Sequence, residues 1–279
     1  GFPLFLGTNI PWNKFGYDVG GGAWDRAWFE SYFRSITGSQ NIVRMFLHCD
    51  GRASPLFDED GVIVALARPE HGGTKAFADE LSELVELARN HQLVLQLCLW
   101  SFDLCRSNGF PVRSSLIADA AKTASYIEHA LKPLLSILDD SGCEHCILEI
   151  INEPEWCIDD DRLDKCQAAS CVSTSQMQRF VATLSAAIHT HSPTRKVTVG
   201  SASLKWSAPT SNGRSVSPLI HVCVSMYVHI HVHLKWSAPT SNGRSVSPLI
   251  HVCVSMYVHI HVHLKWSAPT SNGRSVSVR

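Results

Sequence analysis

Apolar runs of strand length alternate with amphipathic helical patterns from residue 3 to residue 201, and this alternation constrains the fold more than any other feature of the chain. Parallel strands need a long crossover connection between them, usually a helix, so the pattern predicts a parallel sheet with helices on its outside. The strand-like runs lie at 3–10, 41–47, 93–100, 146–151 and 196–201.

Helical patterns fill the intervals between these runs. One of them places apolar residues at i, i+4, i+7, i+8 and i+11, which is the stripe of a single helix face. Its members are Phe77, Leu81, Leu84, Val85 and Ala88. The segments 24–36, 115–138 and 173–189 have comparable patterns. Pro133 is expected to kink or end the second of these segments, because proline donates no backbone hydrogen bond.

Five βα units are compatible with a (β/α)8 barrel or with a doubly wound open sheet. A dinucleotide-binding open sheet would carry GxGxxG after its first strand, and this chain has no such motif there. Gly20, Gly21 and Gly22 are not followed by the Lys-Ser/Thr pair of a phosphate-binding loop. The barrel is therefore favoured. We predict the α/β class and an incomplete TIM (β/α)8-type barrel, followed by an irregular β-rich repeat tail.

A perfect 30-residue repeat occupies the C-terminal part of the chain. Residues 204–233 recur unchanged as 234–263, and 264–277 begin a third copy. Functional repeats usually diverge at surface positions, so full identity indicates either a recent tandem duplication or an error in the gene sequence. We divide the chain into a barrel portion, 1–203, and the tandem repeats, 204–279, with a sixth strand expected in the first copy.

Each repeat copy contains a long strand pattern and no helical pattern. From 220 to 234 the even positions are apolar, while the odd positions include His229, His231 and His233. The next segment, 235–248, is rich in Ser, Pro, Asn and Gly, which is typical of a turn. A regular eight-stranded barrel is therefore not expected to close. Residues after 234 are expected to pack poorly or to form a long hairpin.

One strand ends in a pattern typical of a catalytic site. The mostly apolar run 147–151 leads into Asn152, Glu153 and Pro154, and proline stops a sheet ladder because it has no amide proton. Glu153 is thereby placed at the C-terminal mouth of a parallel strand, where α/β barrels carry their catalytic residues. The alternative is a capped strand with an exposed glutamate.

Four tryptophans are expected at the same mouth, since each lies within a few residues of the end of a different predicted strand. They are Trp12, Trp100, Trp156 and Trp206. Indole rings stack on the apolar C–H faces of sugar rings, so their shared position predicts a sugar ligand. For any one tryptophan taken alone, a place in the core is the alternative.

These motifs together resemble glycoside hydrolase family 5, in particular its β-mannanase-like members. The matching segments are GTNIPW at 7–12, NIVRMFLHCDG at 41–51, LVLQLCLWSFD at 93–103, ILEIINEPEW at 147–156 and VTVGSASLKW at 197–206. The resemblance implies a glycosidase acting on a β-linked mannan or glucan. It further implies that Glu153 is the general acid/base, that Asn152 binds the substrate 2-hydroxyl, and that Arg44 supports the active-site carboxylates.

Three further residues are included among the predicted substrate contacts, beside the four tryptophans. His48 follows the second strand-like run, and the segment 227–231 loosely resembles the sixth strand of the family, which carries His and Tyr side chains into the site. Tyr227 and His229 are therefore included with His48. No cofactor and no metal site is expected.

A second catalytic carboxylate is harder to find. A retaining glycosidase needs two carboxyls about 5–5.5 Å apart, and the family places the second one after its seventh strand. No Asp or Glu follows Asp164 in this sequence. Glu149 is roughly 13 Å from Glu153 along the strand, on the wrong side. Asp50 or Asp103 could reach the mouth only in an inverting arrangement. Catalytic activity is therefore expected to be impaired.

Two other functions stay open at this point. The chain could be a degenerate barrel that binds carbohydrate without hydrolysing it. It could also be a metal-binding or self-associating repeat protein that acts through His229, His231 and His233, because alternate residues of a strand share a face. Cys143 and Cys146 form a lone CxxC, which is a weak signal for zinc or redox chemistry.

Composition restricts the partners and the compartment. The net charge is −1, and nine basic residues spread over 191–279 are a weak nucleic-acid footprint. The apolar runs are shorter than the roughly 20 residues that cross a bilayer. Because the chain starts at Gly1, a secretion signal would lie upstream, and we expect an extracellular protein with one disulfide among Cys157, Cys166 and Cys171. The expected partner is an oligo- or polysaccharide, not nucleic acid or membrane, with self-association through the repeat strands.

Overall fold

Five parallel strands form one curled sheet. The structure, a computed structural model, describes residues 5–107, 109–160, 166 and 170–201, and only the backbone of 221–235 and 249–261. The five strands are β1 (Leu6–Asn9), β2 (Ile42–Cys49), β3 (Val94–Ser101), β4 (Ile147–Asn152) and β5 (Lys196–Ser201). Each pairs in parallel with the next. The predicted α/β class and partial TIM-type barrel are confirmed.

Two long strands from the repeats complete the sheet. They are β6 (His221–Lys235) and β7 (Leu249–His261). Strand β6 runs parallel to β5 and antiparallel to β7, and β7 returns antiparallel to β1, so the seven strands close into a barrel. A hairpin thus stands where a regular eight-stranded barrel would continue with further βα units.

The helices lie outside the five parallel strands. They are α1 (Arg26–Ile36), α2 (Gly73–Asn90), α3 (Ser115–Ala118), α4 (Ala120–Tyr126), α5 (Lys132–Asp140) and α6 (Thr174–His191). The predicted apolar stripe of α2 is buried, from Phe77 to Ala88. Helix α6 begins with a capping box, in which Ser173 and Gln176 satisfy each other's backbone amides.

Pro133 does not end the helical segment, contrary to one of the two outcomes expected for it. It lies at the start of α5, directly after a π-helical turn, Ile127–Leu131. In that turn the Lys132 amide bonds to the Ile127 carbonyl, five residues back. The wider turn changes the hydrogen-bond pattern just before the proline, so the chain stays helical although Pro133 has no amide proton. The interruption lies earlier, at Asp119 between α3 and α4.

The connections between strands and helices contain short two-stranded ladders and 3-10 helices. A small antiparallel ladder, Leu56–Phe57 with Ile63–Ala65, follows β2, and a parallel one, Ile158–Asp159 with Val172–Ser173, follows β4. One-turn 3-10 helices occur at Pro69–His71, Phe102–Cys105 and Pro154–Cys157. The structure pairs Cys143 with Cys146 and Cys166 with Cys171. Among the helices it describes, none is long and apolar enough to cross a membrane.

The two faces of the sheet differ in character. The outer face packs against the helices through a large apolar core that includes Phe29, Phe33, Phe77 and Phe180. The barrel interior instead contains polar side chains, because alternate residues of neighbouring strands point inward together. Arg44 of β2 is the register partner of Gln96 of β3. The inward positions therefore bring charged and amide groups from several strands into contact.

We predict that the repeat strands exchange their amide protons faster than β3 and β4. Within the described residues, the hairpin pairs with the five-stranded sheet through two short ladders, His221↔Thr198 to Val224↔Ser201 and Leu6↔Val258 to Gly7↔Tyr257, so most of its length is held only by the pairing of β6 with β7. Hydrogen–deuterium exchange with mass spectrometry checks this. The repeat copies are identical and give identical peptides, which therefore report on β6 and β7 together. Protection of these shared peptides as strong as that of β3 and β4 would contradict the prediction.

Candidate active site

Glu153 lies immediately beyond the end of β4, where the chain turns sharply. Its backbone is left-handed, with φ 48° and ψ 55°, a conformation that is uncommon for residues other than glycine. The Glu153 amide donates a hydrogen bond of 2.6 Å to the Gly200 carbonyl of β5, and Pro154 then opens the 3-10 turn. The strand end therefore projects the half-buried Glu153 side chain from the C-terminal mouth.

A buried ion pair between Arg44 and Glu149 lies beneath Glu153. The Arg44 Nε donates to Glu149 Oε2 at 2.6 Å, and Arg44 Nη2 donates to Oε1, so the contact is bidentate. The side chains are 5% and 0% exposed, respectively. Gln96 adds a third donor, with its Nε2 at 2.6 Å from Glu149 Oε2. Such charge-assisted, bidentate bonds are strong and fix orientation as well as position.

Gly200 makes room for this ion pair. A Cβ atom at this position would overlap Glu149 Oε1 and would lie 3.1 Å from Arg44 Nη2. Its φ is not in the left-handed region, so the requirement for glycine comes from the close approach of the pair and not from backbone conformation. Any side chain here would displace the carboxylate of Glu149.

Arg44 also connects the ion pair to the strand end. Its Nη2 donates to Asn152 Oδ1 at 2.7 Å, and its Nη1 donates to Asn9 Oδ1 at 3.0 Å. Because the Asn152 oxygen accepts from Arg44, its amide nitrogen is turned toward Glu153 and lies 3.4 Å from Oε2. A continuous hydrogen-bonded path thus runs from Glu149 through Arg44 and Asn152 to Glu153.

The two glutamates of β4 have pKa values shifted in opposite directions. Burial raises the pKa of Glu153, reinforced by the charges of Glu149 and Asp103, although Arg44 and the Asn152 amide act the other way. Burial would also raise the pKa of Glu149, but the Arg44 charge and the hydrogen bonds from Arg44 and Gln96 outweigh it and lower that pKa. The site therefore combines an ionised carboxylate with a carboxyl that keeps its proton to higher pH.

The other acidic side chains near the mouth have their own partners. Asp50 accepts three bonds from the Arg52 guanidinium, and Asp103 accepts the Ser101 hydroxyl at 2.8 Å. Glu155, in the turn after Glu153, accepts the Ser201 hydroxyl at 3.3 Å. Asp103 is the member of this group whose charge acts on Glu153.

Two of the predicted tryptophans lie where a ligand could reach them. Trp12 follows β1 and is 37% exposed; its ring packs edge-on against Phe15, with centroids 4.5 Å apart. Trp156 is half-buried in the 3-10 turn directly after Glu153. Both therefore accompany Glu153 at the mouth of the barrel.

Trp100 and His48 do not line the mouth, which corrects the prediction that they contact the substrate. Both are fully buried, and their rings pack against each other with centroids 5.0 Å apart. Tyr126 of α4 packs on Trp100, and the segment after β2 covers it at Gly51. His48 bonds to the Ser54 hydroxyl at 2.9 Å, and burial lowers its pKa to about 3, so it is neutral.

The remaining predicted site residues lie outside what the structure describes. Trp206 belongs to the undescribed segment 202–220, and Tyr227 and His229 lie on β6, of which only the backbone is described. The same holds for His231 and His233. Among the residues whose side chains the structure describes, there is no group of three metal-ligating residues.

Sequence reasoning missed Glu149, Gln96 and Gly200 as parts of the site. The distance of Glu149 from Glu153 along the strand excludes it as the second catalytic carboxyl, but that distance says nothing about contacts with the neighbouring strands. The signal available was the pairing of a strand-borne Arg44 with a Glu149 in an otherwise apolar strand, because a buried charge requires a counter-charge.

Comparisons with known proteins confirm the resemblance to β-mannanases of glycoside hydrolase family 5. No protein-family model matches the chain. A mannan endo-1,4-β-mannosidase of Mytilus edulis is 28% identical over 223 residues, which are 74% of this chain and 58% of that protein. A second one, of Cryptopygus antarcticus, is 28% identical over 231 residues, or 75% of this chain and 56% of its own length. The chain thus spans a little over half of these relatives.

Solved structures agree with this relationship. The β-1,4-D-mannanase of Cryptopygus antarcticus superposes with a TM-score of 0.62 at 26% identity, over 72% of this chain and 57% of that one. The endo-1,4-β-mannanase of Eisenia fetida gives a TM-score of 0.62 at 26% identity, over 76% and 60%. The proteins that this chain resembles are O-glycosyl hydrolases.

We predict that Glu149→Gln destabilises the protein strongly. The change leaves Arg44 buried without a counter-charge, and breaking a buried pair in this way costs about 3–5 kcal/mol. Urea unfolding measures the loss. The matched control is Glu128→Gln, which removes a carboxylate from an exposed ion pair with Lys132 and should lose far less. Equal losses in the two variants would show that the Arg44–Glu149 pair does not hold the site.

Proposed function

We propose that this chain carries the acid/base half of a β-1,4-mannan hydrolase site, with Glu153 as the proton donor. The observation that supports this most is the path from Glu149 through Arg44 and Asn152 to Glu153, which ends at the C-terminal mouth of a barrel strand. A carboxyl with a raised pKa at that mouth is suited to protonate a leaving oxygen. The names of the similar proteins supply the substrate class, a β-1,4-linked mannan.

Each residue then has a definite part in the reaction. Glu153 gives its proton to the glycosidic oxygen as the bond to the anomeric carbon breaks. The Asn152 amide nitrogen, which faces Glu153, donates to the 2-hydroxyl of the sugar. Arg44 fixes the orientation of Asn152. Arg44 and Glu149 form an ion pair that supports the site and does not itself contact the substrate. Trp12 and Trp156 are placed to stack on sugar rings.

A retaining site also needs a second carboxylate, the nucleophile. A retaining mechanism needs a carboxylate nucleophile about 5–5.5 Å from the acid, and no Asp or Glu follows Asp164 in the 279 residues. We propose that turnover is slow for this reason. Asp50 and Asp103 are the candidates for an inverting base, because each follows a strand that ends at the same mouth as Glu153.

A second candidate function follows from the same observation. Without a nucleophile, the barrel would bind mannan and not cleave it, and the exposed Trp12 would then serve binding alone. We favour slow hydrolysis because nothing in binding requires a carboxyl with a raised pKa beside a fixed amide.

We further propose that the protein acts outside the cell on an oligo- or polysaccharide. The disulfide Cys166–Cys171 lies in the connection that follows Glu153, and disulfides persist in oxidising compartments. Self-association through β6 and β7 is a separate proposal, because long paired strands offer their edges to other chains.

We expect azide to accelerate the cleavage of mannohexaose by the wild-type chain. If a nucleophile is what the site lacks, azide can attack the anomeric carbon while Glu153 protonates the departing oxygen, and the product is a glycosyl azide. Glu153→Gln should abolish both the slow basal cleavage and the azide effect, by roughly 100-fold or more. Chromatography of the products measures both rates. The control is Glu144→Gln, at an exposed position before β4, which should leave both rates unchanged.

The alternatives give different results in the same experiment. Binding of mannohexaose without any cleavage, with or without azide, would support the non-catalytic barrel. Cleavage that survives Glu153→Gln would contradict the role of Glu153. Absence of both binding and cleavage would overturn the mannan assignment.

A further inference from the structure

A strip of three aromatic rings and one guanidinium lies on the loops that follow the first three strands, at the same end of the barrel as Glu153. We call it the outer platform; its members are Trp12, Phe15, Arg52 and Phe110. The Trp12 and Phe15 centroids are 4.5 Å apart. The Arg52 Cζ atom is 4.2 Å from the Phe15 ring centroid and 4.4 Å from that of Phe110. These distances make one continuous stack.

The outer platform is linked to Arg44 at its inner end and reaches solvent at its outer end. Phe46, inside the barrel, lies 5.7 Å from Trp12, and the Arg44 guanidinium lies 4.8 Å from the Phe46 ring centroid. At the far end, Phe110 is 39% exposed. Since β1, β2 and β3 are neighbours in the sheet, their loops meet at the same mouth as Glu153. The stack therefore leads outward from the site.

Arg52 is held in a fixed orientation by Asp50. Its Nε lies 3.0 Å from both carboxylate oxygens of Asp50, and its Nη2 lies 2.6 Å from Oδ2. The two charges neutralise each other, so the stack presents no net charge to a ligand. Among the residues that the structure describes, no group accepts a hydrogen bond from Arg52 Nη1.

The loop that carries the first two rings is also fixed. Asp18 is buried and accepts hydrogen bonds of 3.0 Å from the backbone amides of Asn13 and Lys14. These residues lie between Trp12 and Phe15 in the chain. The rings are therefore preorganised, and a ligand would not have to order them.

We propose that the outer platform binds one uncharged hexose unit of the substrate, at a position removed from the bond that is cleaved. The apolar face of the hexose would stack on the exposed Phe110 ring at the outer end of the platform, while a hydroxyl would accept from Arg52 Nη1. A neutral platform favours neutral hexoses over uronic acids, because the guanidinium charge is already matched by Asp50. The inference rests on the proposed function, since it extends the same binding cleft.

A purely structural role would place these rings differently. Aromatic rings that only pack loops against the core are normally buried, as Trp100 and Tyr126 are in this barrel. Trp12 and Phe110 instead keep more than a third of their surfaces exposed. An exposed, rigid ring beside a guanidinium with a free donor has the composition of a sugar subsite.

The test compares oligosaccharides of two lengths. Calorimetry on the full chain, in the Glu153→Gln background to block cleavage, measures binding of mannotriose and mannohexaose. We expect Phe110→Ala to weaken mannohexaose binding by roughly tenfold and mannotriose binding little, because only the longer ligand spans both the catalytic position and the outer platform. Arg52→Gln should act in the same direction. Val64→Ala, a change at another exposed apolar residue, 45% exposed, is the control and should change neither affinity.

Each outcome decides the proposal. Unchanged mannohexaose binding in Phe110→Ala, with an unchanged unfolding temperature, would overturn it and leave the proposed function intact. Equal weakening for both lengths would also overturn it, since that would indicate general damage to the cleft. A failure of the parent chain to bind either ligand would overturn the mannan assignment and the outer platform together. An oligomer of mannuronic acid that binds as tightly as mannohexaose would refute the preference for neutral sugars.

Discussion

The buried ion pair between Arg44 and Glu149 is the interaction on which the site depends. Removing two charges from water costs several kcal/mol per ion, and only good geometry with additional hydrogen bonds offsets that cost. Here Gln96 donates an additional hydrogen bond to the Glu149 carboxylate. The side-chain oxygens of Asn9 and Asn152 accept further hydrogen bonds from Arg44. The pair therefore joins four strands of the barrel, and the small size of Gly200 permits its close approach.

This ion pair explains how one strand holds two glutamates in different states. Arg44 faces Glu149 directly and lowers its pKa, whereas it reaches Glu153 only at a distance and through Asn152, so burial decides the pKa of Glu153. The left-handed turn at Glu153 separates the two side chains. The same guanidinium lies over Phe46, which packs on Trp12. The buried Arg44 guanidinium thus helps to orient both the proton donor, Glu153, and the aromatic surface at Trp12.

The sequence allowed the sheet to be predicted within a few residues, because parallel strands covered on both sides read as apolar runs. It also placed Glu153 and Asn152 at a strand end, since Pro154 marks that end. It could not show which inward residues meet across strands, because register is not visible in one strand alone; the contact of Glu149 with Arg44 could not be predicted for this reason. His48 was misplaced because a register shift between Phe46 and Cys49 disturbs the alternation of β2. Burial of Trp100 depends on a covering loop that no local pattern indicates.

The central claim is that this network makes Glu153, and not Glu149, the proton donor. Carbon-13 NMR titration of the two side-chain carboxyls tests it directly and does not require turnover. The account predicts a pKa above the usual 4.5 for Glu153 and below 4.5 for Glu149, with a further rise for Glu153 in Asn152→Ala, because the amide favours the ionised form. A Glu153 pKa at or below that of Glu149 would contradict the account.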